Sequence, residues 1–205
     1  MKNKKIFIMT QFAILLAIEA LFCFTPLGSL PIGPIVATLA LIPVVITAIL
    51  LGPKLGTVMG FITGAFSLIV WTFMPPNPAT AFAFSPFYSL GEFKGNFGSL
   101  LICFVPRILA GTVTGLVNKA MLKRNPKKEV LSYTVSAVAG SLLHTFGVLG
   151  GIILFFSGQY ETVFGEAILV LAGTTVLTNG IPEAIIAALA AAAICKPLNS
   201  LNKKI

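Results

Sequence analysis

Six apolar runs separated by short polar breaks fill the chain, at 6–24, 35–51, 55–73, 99–122, 130–156 and 166–195. As a helix rising ~1.5 Å per residue, each is about long enough to cross a hydrocarbon core of roughly 30 Å. A bilayer offers no water to unpaired backbone groups, so runs of this length read as spanning helices. The pattern predicts an all-α integral membrane protein: a six-transmembrane-helix bundle, with 1–205 forming a single transmembrane domain.

The charges fix the expected orientation. Lys2, Lys4 and Lys5 precede the first run, Lys54 lies between the second and third, Lys119 lies at the inner end of the fourth, and Lys123, Arg124, Lys127 and Lys128 gather between the fourth and fifth. Lys196, Lys203 and Lys204 follow the sixth. With six spans, all of these fall on one side, and the positive-inside rule makes that side cytoplasmic. Both termini are then cytoplasmic, in a multi-pass protein of the cell (plasma) membrane, and 25–34, 74–98 and 157–165 are outer loops. Only Lys94 and Arg107 break the pattern. Apolar residues make up 57% of the chain and charged ones 10%, which excludes an ordinary soluble domain. The net charge of +8 is placed for a lipid bilayer rather than for nucleic acid. The first run lacks a small-residue cleavage site, so it reads as a retained helix rather than a signal peptide.

The outer loops are the chemically rich ones. Residues 25–34 hold three prolines and two glycines, a composition suited to an ordered, non-helical cap. Residues 74–98 mix Pro, Gly and aromatics, and read either as a lid or, through Phe82, Phe84, Phe87 and Tyr88, as an interfacial aromatic belt. Small residues recur every fourth position at Ala13 and Ala17, at Gly56, Gly60 and Gly64, and at Gly111 and Gly115. Such stripes let helices approach closely, within the bundle or, for Ala13 and Ala17, against another membrane protein.

Polar groups at membrane depth are expensive unless paired or facing a cavity, so the few present are the best functional pointers. They are Glu19, Arg107, His144, Asn179 and Glu183, from the first, fourth, fifth and sixth runs. Their heights suit one polar pocket opening outward under the two long loops. The alternative is a set of structural pairs, such as Arg107 with Glu19 or Glu183. Pro182 removes a backbone donor and should kink or open the sixth helix beside Asn179. Enzyme signals are missing: no phosphate-binding glycine loop, no HExxH, and Ser141 and His144 without a third catalytic partner. One histidine and three scattered cysteines (Cys23, Cys103, Cys195) give no metal site, disulfide framework or cofactor. No repeated filter or ring of like charges suggests a channel.

The Ala13-x-x-x-Ala17 motif, the Pro/Gly-rich first outer loop and Ile42-Pro43 through Leu50-Leu51-Gly52-Pro53-Lys54-Leu55-Gly56 together resemble the substrate-binding (S) components of energy-coupling-factor (ECF) vitamin transporters. The resemblance covers essentially the whole chain. It implies high-affinity binding of a small water-soluble vitamin or related nutrient from outside, in a pocket capped by the first outer loop. It also implies no ATPase in this chain, and partnership with a transmembrane coupling subunit and two cytoplasmic ATPase subunits. Ala13 and Ala17 would meet the coupling subunit. Phe24 to Pro34, Phe84-Ser85-Pro86-Phe87 and Phe104-Val105-Pro106-Arg107 look most like the pantothenate-type branch. Arg107 would then pair with the ligand carboxylate, and Asn179 and His144 would meet its amide and hydroxyls. Glu19 and Glu183 are the departure, since each would repel an anion unless paired or protonated. Riboflavin, a stand-alone proton-coupled carrier and a ligand-free structural subunit are the competing readings.

Overall fold

The computed structural model describes residues 2–30 and 37–202. Helix α1 spans Lys2–Phe24, α2 Leu41–Leu51, α3 Pro53–Phe73, α4 Phe97–Arg124, α5 Glu129–Phe164, α6 Ile168–Thr175 and α7 Ile181–Asn202. A π-turn over Val176–Gly180 joins α6 and α7 into one rod. Among the described residues, five stretches are long and apolar enough to cross a membrane: Lys5–Phe24, Pro53–Phe73, Phe97–Arg124, Glu129–Phe164 and Ile168–Ser200.

The run expected at 35–51 differs. Residues 31–36 lie outside the described residues, and the helix itself is only the 11 residues of α2. Its expected first turn is replaced by strand β2 (Ala37–Thr38), which pairs antiparallel with β1 (Ser29–Leu30), Ser29 facing Thr38. Helix α2 is apolar all round because protein surrounds it: Val44, Val45 and Ala48 are fully buried.

A second boundary moves at 157–165, expected as an outer loop. Instead α5 continues to Phe164, bending at Phe156, where φ −138° and ψ 15° leave the helical region. The added turns are amphipathic, with Tyr160 fully buried and Glu161 and Thr162 exposed. Glu161 Oε1 accepts the Ile168 N–H at 3.0 Å, and Gly165 at φ +69° ends the helix in the left-handed region.

The glycine stripes form the seam between α3 and α4. A Cβ at Gly60 would collide with the Arg107 carbonyl, and one at Gly111 with the Gly56 carbonyl. Two apolar clusters flank the polar centre. One holds Val44, Met59, Ala110, Tyr133 and Cys195; the other holds Trp71, Phe82, Ile102, Phe156 and Tyr160. Helix α1 is peripheral. It buries the i, i+4 stripe Leu15–Glu19–Cys23 and leaves Met9, Ala13, Ala17 and Leu21 exposed.

The long loop between α3 and α4 is a packed plug. Asn77 Oδ1 caps a 3₁₀ turn, Pro78–Ala83, by accepting the Ala79 N–H at 3.0 Å. That turn drives Phe82 into the second cluster, edge-on to Phe156 and Tyr160 with ring centroids 5.7 Å away in each case. A hairpin, β3 (Ser89–Leu90) with β4 (Phe93–Lys94), brings Phe93 against Phe82. Asn96 and Ser99 form a capping box at the start of α4, and Ser99 Oγ also donates to the Phe82 carbonyl at 2.7 Å. Of the aromatics read as lid or belt, Phe82 and Phe84 are buried, whereas Phe87 is 78% exposed.

Candidate functional site

The site starts at a defect in α4. Pro106 has no N–H, so the Ile102 carbonyl loses its intrahelical donor, and the ring crowds the turn that precedes it. The next residue supplies the missing donors: Arg107 Nη1 donates to the Cys103 carbonyl at 2.7 Å and to the Ile102 carbonyl at 3.4 Å. Opposite, Gly60 lets the α3 backbone lie directly on the Arg107 carbonyl. The guanidinium is therefore held through Nη1, while Nε and Nη2 make no hydrogen bond among the described residues. Arg107 is only 7% exposed, yet among the described residues no carboxylate forms an ion pair with it. A buried guanidinium without an ion pair is costly, and this arrangement is chemically able to accept an anion.

Arg107 lines a chamber together with Cys23, Thr38, Ala40, Thr63, Ser67, Val70, Trp71, Phe84, His144 and Val148. Trp71 and Phe84 stack with centroids 4.5 Å apart and planes 21° from parallel, making one flat apolar wall. Thr63, Ser67 and Trp71 are spaced i, i+4, i+8 and so share one face of α3. A second chamber is lined by Thr145, Leu149, Thr175, Asn179, Gly180 and Glu183, with Thr38, His144 and Val148 as the wall it shares with the first. Both chambers are narrow here, so a ligand of vitamin size is accommodated only if part of the wall moves.

His144 stands at the junction of the chambers. It is 5% exposed, and neither Nδ1 nor Nε2 has a hydrogen-bond partner among the described residues. Neutral imidazole offers one donor and one acceptor, and leaving such groups buried and unmet costs about 1–3 kcal/mol each. Asn179 sits in the π-turn that precedes Pro182, the expected irregularity of the sixth run taking the form of a wide turn rather than a break. Gly180 in that turn packs on Thr145 of α5, where a Cβ would be too close to the Thr145 methyl. Glu183 Oε1 accepts the Thr38 N–H at 2.6 Å, which ties the first turn of α7 to strand β2.

The structure therefore brings Arg107, His144, Asn179 and Glu183 around adjoining space. Glu19 stands apart from that lining. It is fully buried on α1 behind Cys23, whose Sγ–H it accepts at 3.2 Å. It still lies within electrostatic reach of Arg107, as do His144 and Glu183. Ala13 and Ala17 are on the opposite, exposed face of α1. Sequence reading missed Thr38, Thr63, Ser67, Trp71, Phe84 and Thr175 as cavity residues. The i, i+4, i+8 series on α3, ending in the single tryptophan, was the available signal.

Apolar helices bundled around adjoining buried polar chambers define a membrane protein with an enclosed polar site. Residues 8–197 match the family described as ECF transporter, substrate-specific component, and the chain belongs to that family. It is 34% identical over 166 residues to the pantothenic acid transporter PanT of Lactococcus lactis subsp. cremoris (strain MG1363), across 80% of this chain and 79% of that one. Its fold is similar to the S-component for biotin from an ECF-type ABC transporter. The TM-score is 0.60 at 18% sequence identity, over 98% of this chain and 94% of that one.

Proposed function

We propose that this chain is the pantothenate-binding subunit of an ATP-driven ECF importer, with six membrane spans and both termini in the cytoplasm. The observation that carries the reading is Arg107, a buried guanidinium with free donors, no carboxylate partner among the described residues, and a cavity in front of it. The likeness to PanT supports the choice of ligand. Pantothenate offers a carboxylate for bidentate pairing with Arg107, an amide for a ring nitrogen of His144, and hydroxyls for Asn179 and Glu183. The two methylenes beside its carboxylate suit the apolar wall of Val70, Trp71 and Phe84, and its gem-dimethyl group, which lies between the hydroxyls, suits Val148 and Leu149 of the second chamber.

Pumping would be done by partners: a transmembrane coupling subunit and two cytoplasmic ATPases. The exposed Ala13 and Ala17 face supports docking of the coupling subunit, because it lets a partner helix approach closely where no helix among the described residues covers it. Mass spectrometry of the small molecule released on denaturing the detergent-purified chain tests the ligand. The expected result is near-stoichiometric pantothenate when the chain is expressed alone in rich medium. Another vitamin in its place would overturn the assignment.

A further inference from the structure

The cavity holds an arginine and a glutamate that do not pair with one another. Arg107 lines the first chamber and Glu183 the second, and among the described residues they form no ion pair. Neither is free to swing across. Arg107 is anchored to the Cys103 and Ile102 carbonyls, and Glu183 is anchored by the Thr38 N–H at 2.6 Å. Between them stand His144 and Val148, which belong to both chambers. A site built this way presents a fixed positive end and a fixed negative end to one elongated ligand.

We infer that Glu183 is a specificity-determining residue: it makes the second chamber reject an anionic group, so the site takes monoanions whose far end carries only uncharged hydrogen-bond donors. The inference rests on the reading that Arg107 receives the ligand carboxylate. A hydroxyl at the far end donates to Glu183 or Asn179. A phosphate there meets a carboxylate that is 91% shielded from water and held by β2, and such like-charge juxtaposition is strongly disfavoured. The subunit would then separate a free vitamin from its phosphorylated form by charge as well as by size. The same arrangement resolves the apparent conflict of a glutamate in an anion site, because Glu183 faces the opposite end of the ligand.

The test is displacement of radiolabelled pantothenate from the purified full chain. Two competitors are used: the analogue phosphorylated on its terminal hydroxyl, and the analogue whose carboxylate is replaced by a hydroxymethyl group. Glu183→Gln keeps an oxygen to accept the Thr38 N–H and removes only the charge. Ratios of affinities are read, so a general loss of binding cancels. The wild type should bind the phosphorylated analogue at least about 100-fold more weakly than pantothenate, and Glu183→Gln should shrink that ratio by about tenfold or more. Its acid-to-alcohol ratio should stay within about threefold of wild type, since Arg107 is untouched. Asn179→Asp, which adds a carboxylate to the same chamber, should widen the phosphate discrimination.

An unchanged phosphate ratio in Glu183→Gln would overturn the inference and leave size as the cause of the discrimination. A shift in the acid-to-alcohol ratio instead would mean that the carboxylate sits in the second chamber. Absence of pantothenate binding by the wild-type chain would overturn the functional reading itself, along with this one.

Discussion

Arg107 and Pro106 act as a pair, and the pair yields two predictions. Arg107→Gln should weaken pantothenate binding by about 30-fold or more in a direct binding assay, since truncating a buried, hydrogen-bonded charge commonly costs 2–5 kcal/mol, roughly. Unchanged affinity would mean the carboxylate is held elsewhere. Pro106→Ala returns an N–H to the Ile102 carbonyl and so releases one anchor of the guanidinium. The helix gains while the site loses: thermal stability should be equal or higher, and affinity should fall on the order of tenfold through misplacement. Loss of both together would show that Pro106 serves packing alone. Arg107 stood out in the sequence because charge at membrane depth is rare. The bond from Thr38 to Glu183 did not, because its partners lie 145 residues apart and one is a backbone group. Trp71 and Phe84 were likewise hidden, since an aromatic at a helix end looks the same whether it faces lipid or a cavity.

At the scale of elements, the second long loop and the glycine seam govern the shape of the cavity. Phe82→Ala should remove the centre of the plug, costing about 3–5 kcal/mol of stability. It should also speed ligand dissociation by uncovering Phe84, its neighbour in the same turn. A thermal-shift assay with a dissociation measurement checks both, and a wild-type melting temperature would contradict the packing described. The helices of the bundle were legible because long apolar runs need no tertiary information to be recognised. Two boundaries were not. The run at 35–51 is continuous in hydropathy, yet β2 claims Thr38, whose N–H is taken by Glu183 of α7. Residues 157–165 look polar enough for a loop, yet Tyr160 anchors them as helix under Phe82. In both places a distant contact overrides the local pattern.

At the scale of the molecule, binding and coupling are assigned to different faces. The cavity lies among α3, α4, α5 and α7, beside strand β2 and the second long loop, while the small-residue face of α1 looks away from it. Ala13→Leu or Ala17→Leu should therefore leave ligand affinity intact and abolish uptake by the assembled transporter; retention of both would remove the docking role of that face. Uptake should also vanish when the ATPase partners are absent, and transport by the chain alone would favour a secondary carrier. The most direct measurement of the central claim is equilibrium binding of radiolabelled pantothenate to the purified chain without any partner subunit. Saturable one-to-one binding, competed by unlabelled pantothenate and strongly weakened by Arg107→Gln, is the predicted result. Absence of saturable binding, or equal binding by wild type and Arg107→Gln, would contradict it.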